Sequence, residues 1–172
     1  FMKKLSLLLC SCLVTFSLLA QQKINAEKSE ITFSVLNMGV SVEGSLSGLE
    51  GKVTFDPYDV ENATFDVSID PSTVETGNGL RDKHLNNKKN LLYTKIFPTI
   101  DFVSKKVVES DDGRTYKVLG DLTIKETTKE VEIPFKFSEQ DDESVKLVGS
   151  IEIKRLDYGV GGNNTTLIGE DV

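Results

Sequence analysis

The 172-residue chain carries 20 Lys and Arg against 27 Asp and Glu, a formal net charge of -7. An acidic balance of this kind repels phosphate backbones and anionic headgroups, which argues against nucleic-acid binding and against electrostatic docking on a membrane. Cys10 and Cys12 are its two cysteines, and both precede residue 21, so the rest of the chain forms neither disulfides nor thiolate metal sites.

At the start, Lys3 and Lys4 precede an apolar run from Leu5 to Leu19 that ends at Ala20. A charged head, a short apolar stretch and a small residue at the end make the layout of a secretory signal peptide. The run is 15 residues long and interrupted by Ser and Thr, whereas a spanning helix needs about 20 apolar residues, so cleavage is expected rather than stable membrane insertion. Leu18 is bulkier than the small residue usual two positions before a cut, and Phe1 ahead of Met2 is not a normal translation start. Cys10 and Cys12 sit in the middle of the run, not at its end where a bacterial lipoprotein carries its lipidated cysteine. The expected division is a signal peptide over residues 1–20 and one domain over 21–172, periplasmic or secreted. Losing Lys3 and Lys4 takes the formal charge from -7 to -9.

Beyond residue 21 the apolar residues alternate with period two, the mark of strands with one buried face. Ile31, Phe33 and Val35 open the series, followed by Val40, Val42 and Leu46, then Val53 and Phe55, then Phe65, Val67 and Ile69, then Ile100 and Phe102. The second half is more regular still, with Tyr116 to Ile124, Val131 to Phe137 and Val145 to Ile153 divided by the acidic turns Ser110–Gly113 and Glu139–Glu143. Consecutive alternating strands joined by short polar turns predict antiparallel neighbours, and so many strands must close or stack to hide their edges. A barrel or a sandwich satisfies that. Residues 76–97 break the pattern: Gly77-Asn78-Gly79 leads into Leu80, His84 and Leu91-Leu92 among charged residues, at a spacing nearer helical than extended. One helical excursion near residues 77–94, across one end of the β structure, is predicted, and Pro98 restarts an extended segment.

Several segments in order resemble the YceI-like family: Ile31 to Val35 with Gly44 to Gly48, Gly51 to Asp56, Gly120 to Ile124, and Arg155 to Val160. The strongest is Thr76 to Leu85, with Arg81-Asp82-Lys83-His84-Leu85, followed by Phe97 to Phe102, similar to that family's arginine-aspartate-x-histidine-leucine helix and the strand after it. The resemblance implies an all-β, antiparallel lipocalin-like barrel of about eight strands, bacterial and outside the cytoplasm, with an elongated apolar cavity for polyisoprenoid-like or other amphiphilic chains. The chain departs from the pattern at Lys125-Glu126, where histidine and glycine are usual, and at Leu91-Leu92-Tyr93, where a phenylalanine pair and aspartate are usual. It ends at Val172, where the family begins its last strand, so either that strand is truncated or the barrel is open.

A lumen lined by Phe33, Val35, Val42, Leu46, Phe55, Val67, Ile69 and Phe102 offers apolar surface and almost no reactive groups. The reading favoured is a carrier or store for a long apolar lipid, with no cofactor and no metal site; whether it forms a homodimer is left open. His84 is the only histidine. With Arg81 and Asp82 it is the one candidate for acid-base chemistry, and a hydrolase-type enzyme is the alternative function; a ligand-free structural or interaction barrel is a third. Residues two apart on a helix do not face each other, and without a second histidine or a cysteine no metal site is complete. Arg81, Asp82 and His84 are therefore assigned to the barrel mouth, fixing the helix or meeting a polar lipid head, and no catalytic residue is assigned. Arg155 is placed with them, either solvated at a strand end or buried, in which case Asp157 or Asp82 is the expected carboxylate partner. Gly44, Gly120 and Gly149 fall in the apolar phase of their strands, where they either widen the lumen or permit a bend. Gly159-Val160-Gly161-Gly162 lacks the spacing of a phosphate-cradling loop.

Overall fold

The computed structural model describes residues 22–141, 144–162, 169 and 171–172; the expected signal peptide over 1–20 lies outside them. Among the described residues there are nine strands: β1 (Gln22–Lys23), β2 (Ile31–Asn37), β3 (Val40–Leu46), β4 (Glu50–Thr54), β5 (Thr64–Ile69), β6 (Ile100–Glu109), β7 (Tyr116–Ile124), β8 (Thr127–Glu139) and β9 (Val145–Gly149); β1 was not among the predicted alternating segments, and β9 stops at Gly149, short of the predicted Ile153. One α-helix, α1 (Gly79–Asn87), lies between β5 and β6. Seven strands form one antiparallel sheet in the order β1-β4-β5-β6-β7-β8-β9, and β2 and β3 pair as a separate hairpin. The sheet curls into a half-barrel of the lipocalin-like kind expected.

The seam between sheet and hairpin is held by short backbone contacts. Ser45 of β3 and Glu75 exchange two hydrogen bonds, at 2.9 and 3.0 Å. On the other side, the Gly169 N–H donates to the Leu36 carbonyl of β2 at 2.7 Å, while Ile153 and Val172 exchange bonds of 3.0 and 2.9 Å.

Two apolar clusters divide the interior. At the helix end, Leu46, Ile69 and Val74 are buried together, with Phe33, Leu49, Ile100, Leu85 of α1 and Leu92 after it packed on them. Toward the other end, Phe55, Ala63, Phe102, Val107, Tyr116, Val118 and Phe135 form the larger cluster. Its centre is aromatic: Phe55 meets Tyr116 edge-on at 5.0 Å and Phe135 at 5.3 Å, and Tyr116 stacks on Phe135 at 5.6 Å. Such ring pairs add about 0.5–1.5 kcal/mol each beyond their buried area.

Two of the glycines in apolar phase, Gly44 and Gly120, seat rings, whereas a Cβ on Gly149 would stand 2.6 Å from the Pro134 carbonyl oxygen. The Phe33 ring lies across its cross-strand partner Gly44, so close that a Cβ there would overlap it. A Cβ on Gly120 would stand 2.6 Å from the Phe102 ring and 2.5 Å from the Val103 carbonyl oxygen. Opposite Gly120 the β6–β7 register slips between Ser104 and Lys106, a bulge of the kind that bends a strand. The bend reading therefore holds at Gly120, and lumen widening does not, because the ring occupies the space. On the outer face Lys105, the bulged residue, pairs with Asp121 at 2.6 Å and Glu130 at 2.9 Å, and Lys117 pairs with Glu132 at 2.8 Å. These pairs are half-exposed and contribute little individually.

Candidate functional site

The helix end is built from local signals. The Asn78 side chain accepts from the Leu80 and Arg81 N–H groups at 3.1 Å each, capping the first turn of α1. Asp82 reaches back to accept from the Thr76 N–H at 3.0 Å and the Thr76 hydroxyl at 2.6 Å. Its carboxylate thus fixes the entry to the helix. The helix is shorter than the predicted excursion because Lys88 is extended, after which the Leu92 and Tyr93 N–H groups both turn back to the Leu85 carbonyl. That fold-back brings Leu85 and Leu92 onto Leu46, Ile69 and Val74, closing this end of the interior.

Arg155 is buried, at 6% exposure. Its guanidinium donates to backbone carbonyls: Gly169 at 2.6 Å, Val160 at 2.9 Å and Gly162 at 3.4 Å. The two carboxylates expected beside it are engaged elsewhere, Asp157 with Lys129 at 2.6 Å and Asp82 with Thr76. The reason is topological, since the glycine-rich stretch after the 3-10 turn Arg155–Tyr158 wraps its carbonyls around the side chain. Arg155 thereby ties residues 160, 162 and 169 to the seam. His84 is half-buried on α1, and among the described residues its imidazole makes no hydrogen bond or ion pair. Arg81, Asp82 and His84 all lie on α1, and Arg155 opens the 3-10 turn Arg155–Tyr158.

Sequence reasoning named Lys125 only as part of the Lys125-Glu126 departure from the family pattern and gave it no role. It sits with φ +57° in the two-residue turn between β7 and β8, and its ammonium donates to the carbonyls of Gly159 at 2.9 Å and Lys89 at 3.1 Å. It lies 5.7 Å from the Phe97 ring centre. One side chain thus joins the segment after α1 to the segment after Tyr158. Its signal was the tight turn implied by Ile124-Lys125-Glu126-Thr127, which forces the side chain to that end of the sheet.

The eight proposed lining residues fall into two groups. Leu46, Phe55, Ile69 and Phe102 are packed into the clusters, at 7%, 3%, 2% and 7% exposure. Phe33, Val35, Val42 and Val67 stay partly exposed although strand phase turns them inward. Leu122, Val131 and Ile133 share this condition: they pack against the larger cluster on one side and keep solvent access on the other. Apolar residues of both the hairpin and the sheet are therefore incompletely covered. No group of three or more His, Cys, Asp and Glu side chains able to hold a metal occurs among the described residues, and no described helix is long and apolar enough to cross a membrane.

Residues 22–172 match the YceI-like domain. The chain belongs to the YceI-like family. A relative, the UPF0312 protein of Shewanella denitrificans, is 31% identical over 138 residues, covering 77% of this chain and 71% of the relative. The UPF0312 protein of Yersinia pestis is 35% identical over 124 residues, covering 70% of this chain. The matched region is 63% of that relative's length, so the chain spans less than two thirds of it. Among solved structures, Burkholderia cenocepacia BcnA superposes with a TM-score of 0.80 at 24% identity, over 86% of this chain and 93% of that one. The Campylobacter jejuni YceI protein does so with 0.67 at 24% identity, over 89% and 92%. These likenesses fix the fold of this YceI-like domain.

Proposed function

We propose that this YceI-like domain binds a long apolar lipid, polyisoprenoid-like or fatty, in the interior between hairpin and sheet, and that it works outside the cytoplasm after removal of residues 1–20. The observation that supports this most is that Phe33, Val35, Val42, Val67, Leu122, Val131 and Ile133 are only partly buried. A fold that only needed a core would cover such residues; burying each methylene of a ligand against them yields about 0.8 kcal/mol, or roughly 4 kcal/mol per five-carbon unit. Association costs at least about 4 kcal/mol, so a single unit gains nothing and only long chains bind. The packed clusters at either side act as the rigid frame, with Arg155 and Lys125 holding the seam and the helix end. The domain is read as a binder rather than an enzyme, since Asp82 serves the helix start and, among the described residues, the His84 imidazole makes no hydrogen bond or ion pair.

Native mass spectrometry of the protein before and after solvent extraction is the test. A long-chain lipid should be retained by the native protein and lost on extraction. Replacing Val35 or Val42 by Asp, at half-exposed positions where the fold tolerates a polar group better than at Phe102, should abolish retention, while raised salt should not. Retention unchanged in folded Val35→Asp and Val42→Asp proteins refutes an interior site, and an extracted protein that turns over ester substrates favours the enzyme reading.

A further inference from the structure

The β2–β3 hairpin ends in an apolar tip that the interior does not use. Leu36, Met38 and Val40 are 55%, 73% and 67% exposed. Asn37 and Val40 close the hairpin around Met38 and Gly39, which have φ of +53° and +80°. Two positive φ angles are what a type I′ turn demands, and its first position favours Asn, Asp or Gly over an unbranched apolar residue. A methionine here is held in an unfavourable backbone conformation and also presented to solvent, so neither local conformation nor core packing accounts for it.

Two further observations narrow what meets the tip. The twelve residues from Ile31 to Val42 carry no charge, in a chain whose net charge is -7. A tip free of charge can approach an apolar or lipid phase without stripping water from ions, whereas the acidic remainder of the surface is repelled by anionic headgroups. The three side chains also expose only a few hundred Å² together, the scale of a single surface patch and far below the ~800 Å² per partner of a stable protein interface. That area is too small for a second copy or a folded partner, yet sufficient for shallow contact with a bilayer.

The tip is also continuous with the interior. Leu46, Gly44, Val42 and Val40 succeed one another on one face of β3, with Phe33 and Val35 facing them on β2. The far end of that face is closed by Ile69, Val74, Leu85 and Leu92, and the near end is the exposed Val40. We propose that the hairpin tip dips into the outer part of a lipid bilayer and is the point where the bound lipid enters and leaves. This rests on the lipid-binding reading for its cargo, but not for the contact itself.

The test uses vesicles of zwitterionic phosphatidylcholine and a Met38→Asn variant, which creates the favoured Asn-Gly turn and so should fold at least as stably as the native protein. Native protein should co-float with the vesicles with little dependence on salt, and Met38→Asn should lower the apparent affinity by about tenfold, as expected for losing one mostly buried methionine. A Val40→Thr variant, which keeps the β-branched shape, should lower it in the same direction. Failure of the native protein to co-float, or equal flotation of both variants, overturns the proposal. So does a native dimer that Met38→Asn dissolves in the absence of vesicles, which assigns the tip to self-association. Lipid content by native mass spectrometry separates the two readings: retention by Met38→Asn with lost flotation supports the tip contact and leaves the binding function standing. Flotation lost in Met38→Asn while neither protein carries lipid keeps the tip contact and removes the carrier.

Discussion

Replacing Gly120 by alanine probes the way the sheet is bent. The added methyl would lie 2.5 Å from the Val103 carbonyl oxygen and 2.6 and 2.8 Å from two carbons of the Phe102 ring. The ring can turn only by disturbing its cluster, and the carbonyl belongs to the β6–β7 ladder beside the bulge. Overpacking by one methyl in a well-packed core costs about 1–3 kcal/mol, and a backbone contact that cannot retreat places this substitution at the upper end. With a urea slope of about 1–3 kcal/mol per molar, the unfolding midpoint should fall by roughly 1–2 M. Gly79→Ala is the control, because nothing lies within 4 Å of a Cβ there and the residue opens α1; it should raise stability by up to about 1 kcal/mol. In a Phe102→Ala background the ring clash disappears and the carbonyl clash stays, so the two substitutions should combine to less than their sum. A Gly120→Ala protein with an unchanged midpoint refutes the seating of Phe102 on Gly120.

His84→Gln keeps hydrogen-bonding capacity but not proton exchange near neutral pH, so lipid retention should be unchanged; if a purified activity exists and this change lowers it by about a hundredfold or more, the binder reading fails. Burial pushes the Tyr116 and Tyr158 phenols above the ordinary value of 10, with Glu109 and Asp157 respectively adding to the effect. A raised pKa means the folded state holds its proton more tightly, so this contribution is complete below the unfolded value near 10 and is lost as pH rises through the folded one. Unfolding midpoints should therefore fall steeply above pH 10, and less steeply in Tyr116→Phe; equal slopes would show that Tyr116 ionises freely.

Strand phase was legible wherever period two was clean, because on a one-sided sheet it dictates which face each residue takes. Phase told correctly that Phe33, Val42 and Phe102 point inward, but not which of them would stay accessible. Accessibility depends on what comes from elsewhere in the chain: Phe102 is buried in the cluster that includes Phe55, Tyr116 and Phe135, whereas Val42 stays partly exposed. The Asn78 cap was written locally, and so was the start of α1. Its end at Asn87 was not, since the Leu85 carbonyl captures two N–H groups from the fold-back only once Leu92 has packed against Leu46 and Ile69. The partners of Arg155 were illegible for the same reason. A buried guanidinium calls for acceptors, and sequence suggests the nearest carboxylates, yet the carbonyls of Val160, Gly162 and Gly169 are among those it finds. Met38-Gly39 was a turn hidden inside an apparently continuous apolar run, because methionine is not a residue that announces positive φ.

The clusters and the partly exposed residues have different physical tasks, and the tasks explain their different burial. A side chain that holds the frame must be covered by its own protein, as Ile69 and Phe55 are, so that the frame exists whether or not a ligand is present. A side chain that meets a long chain must be left partly uncovered, which costs stability in the empty state because apolar surface remains hydrated. Ligand binding then returns that stability in proportion to the logarithm of ligand concentration over its dissociation constant. A carrier is best served by keeping the uncovered set small and continuous. On the proposed reading that set includes Phe33, Val35 and Val42 on the shared face of the hairpin, with the exposed Val40 at one end and Leu85 of α1 with Leu92 of the following segment at the other.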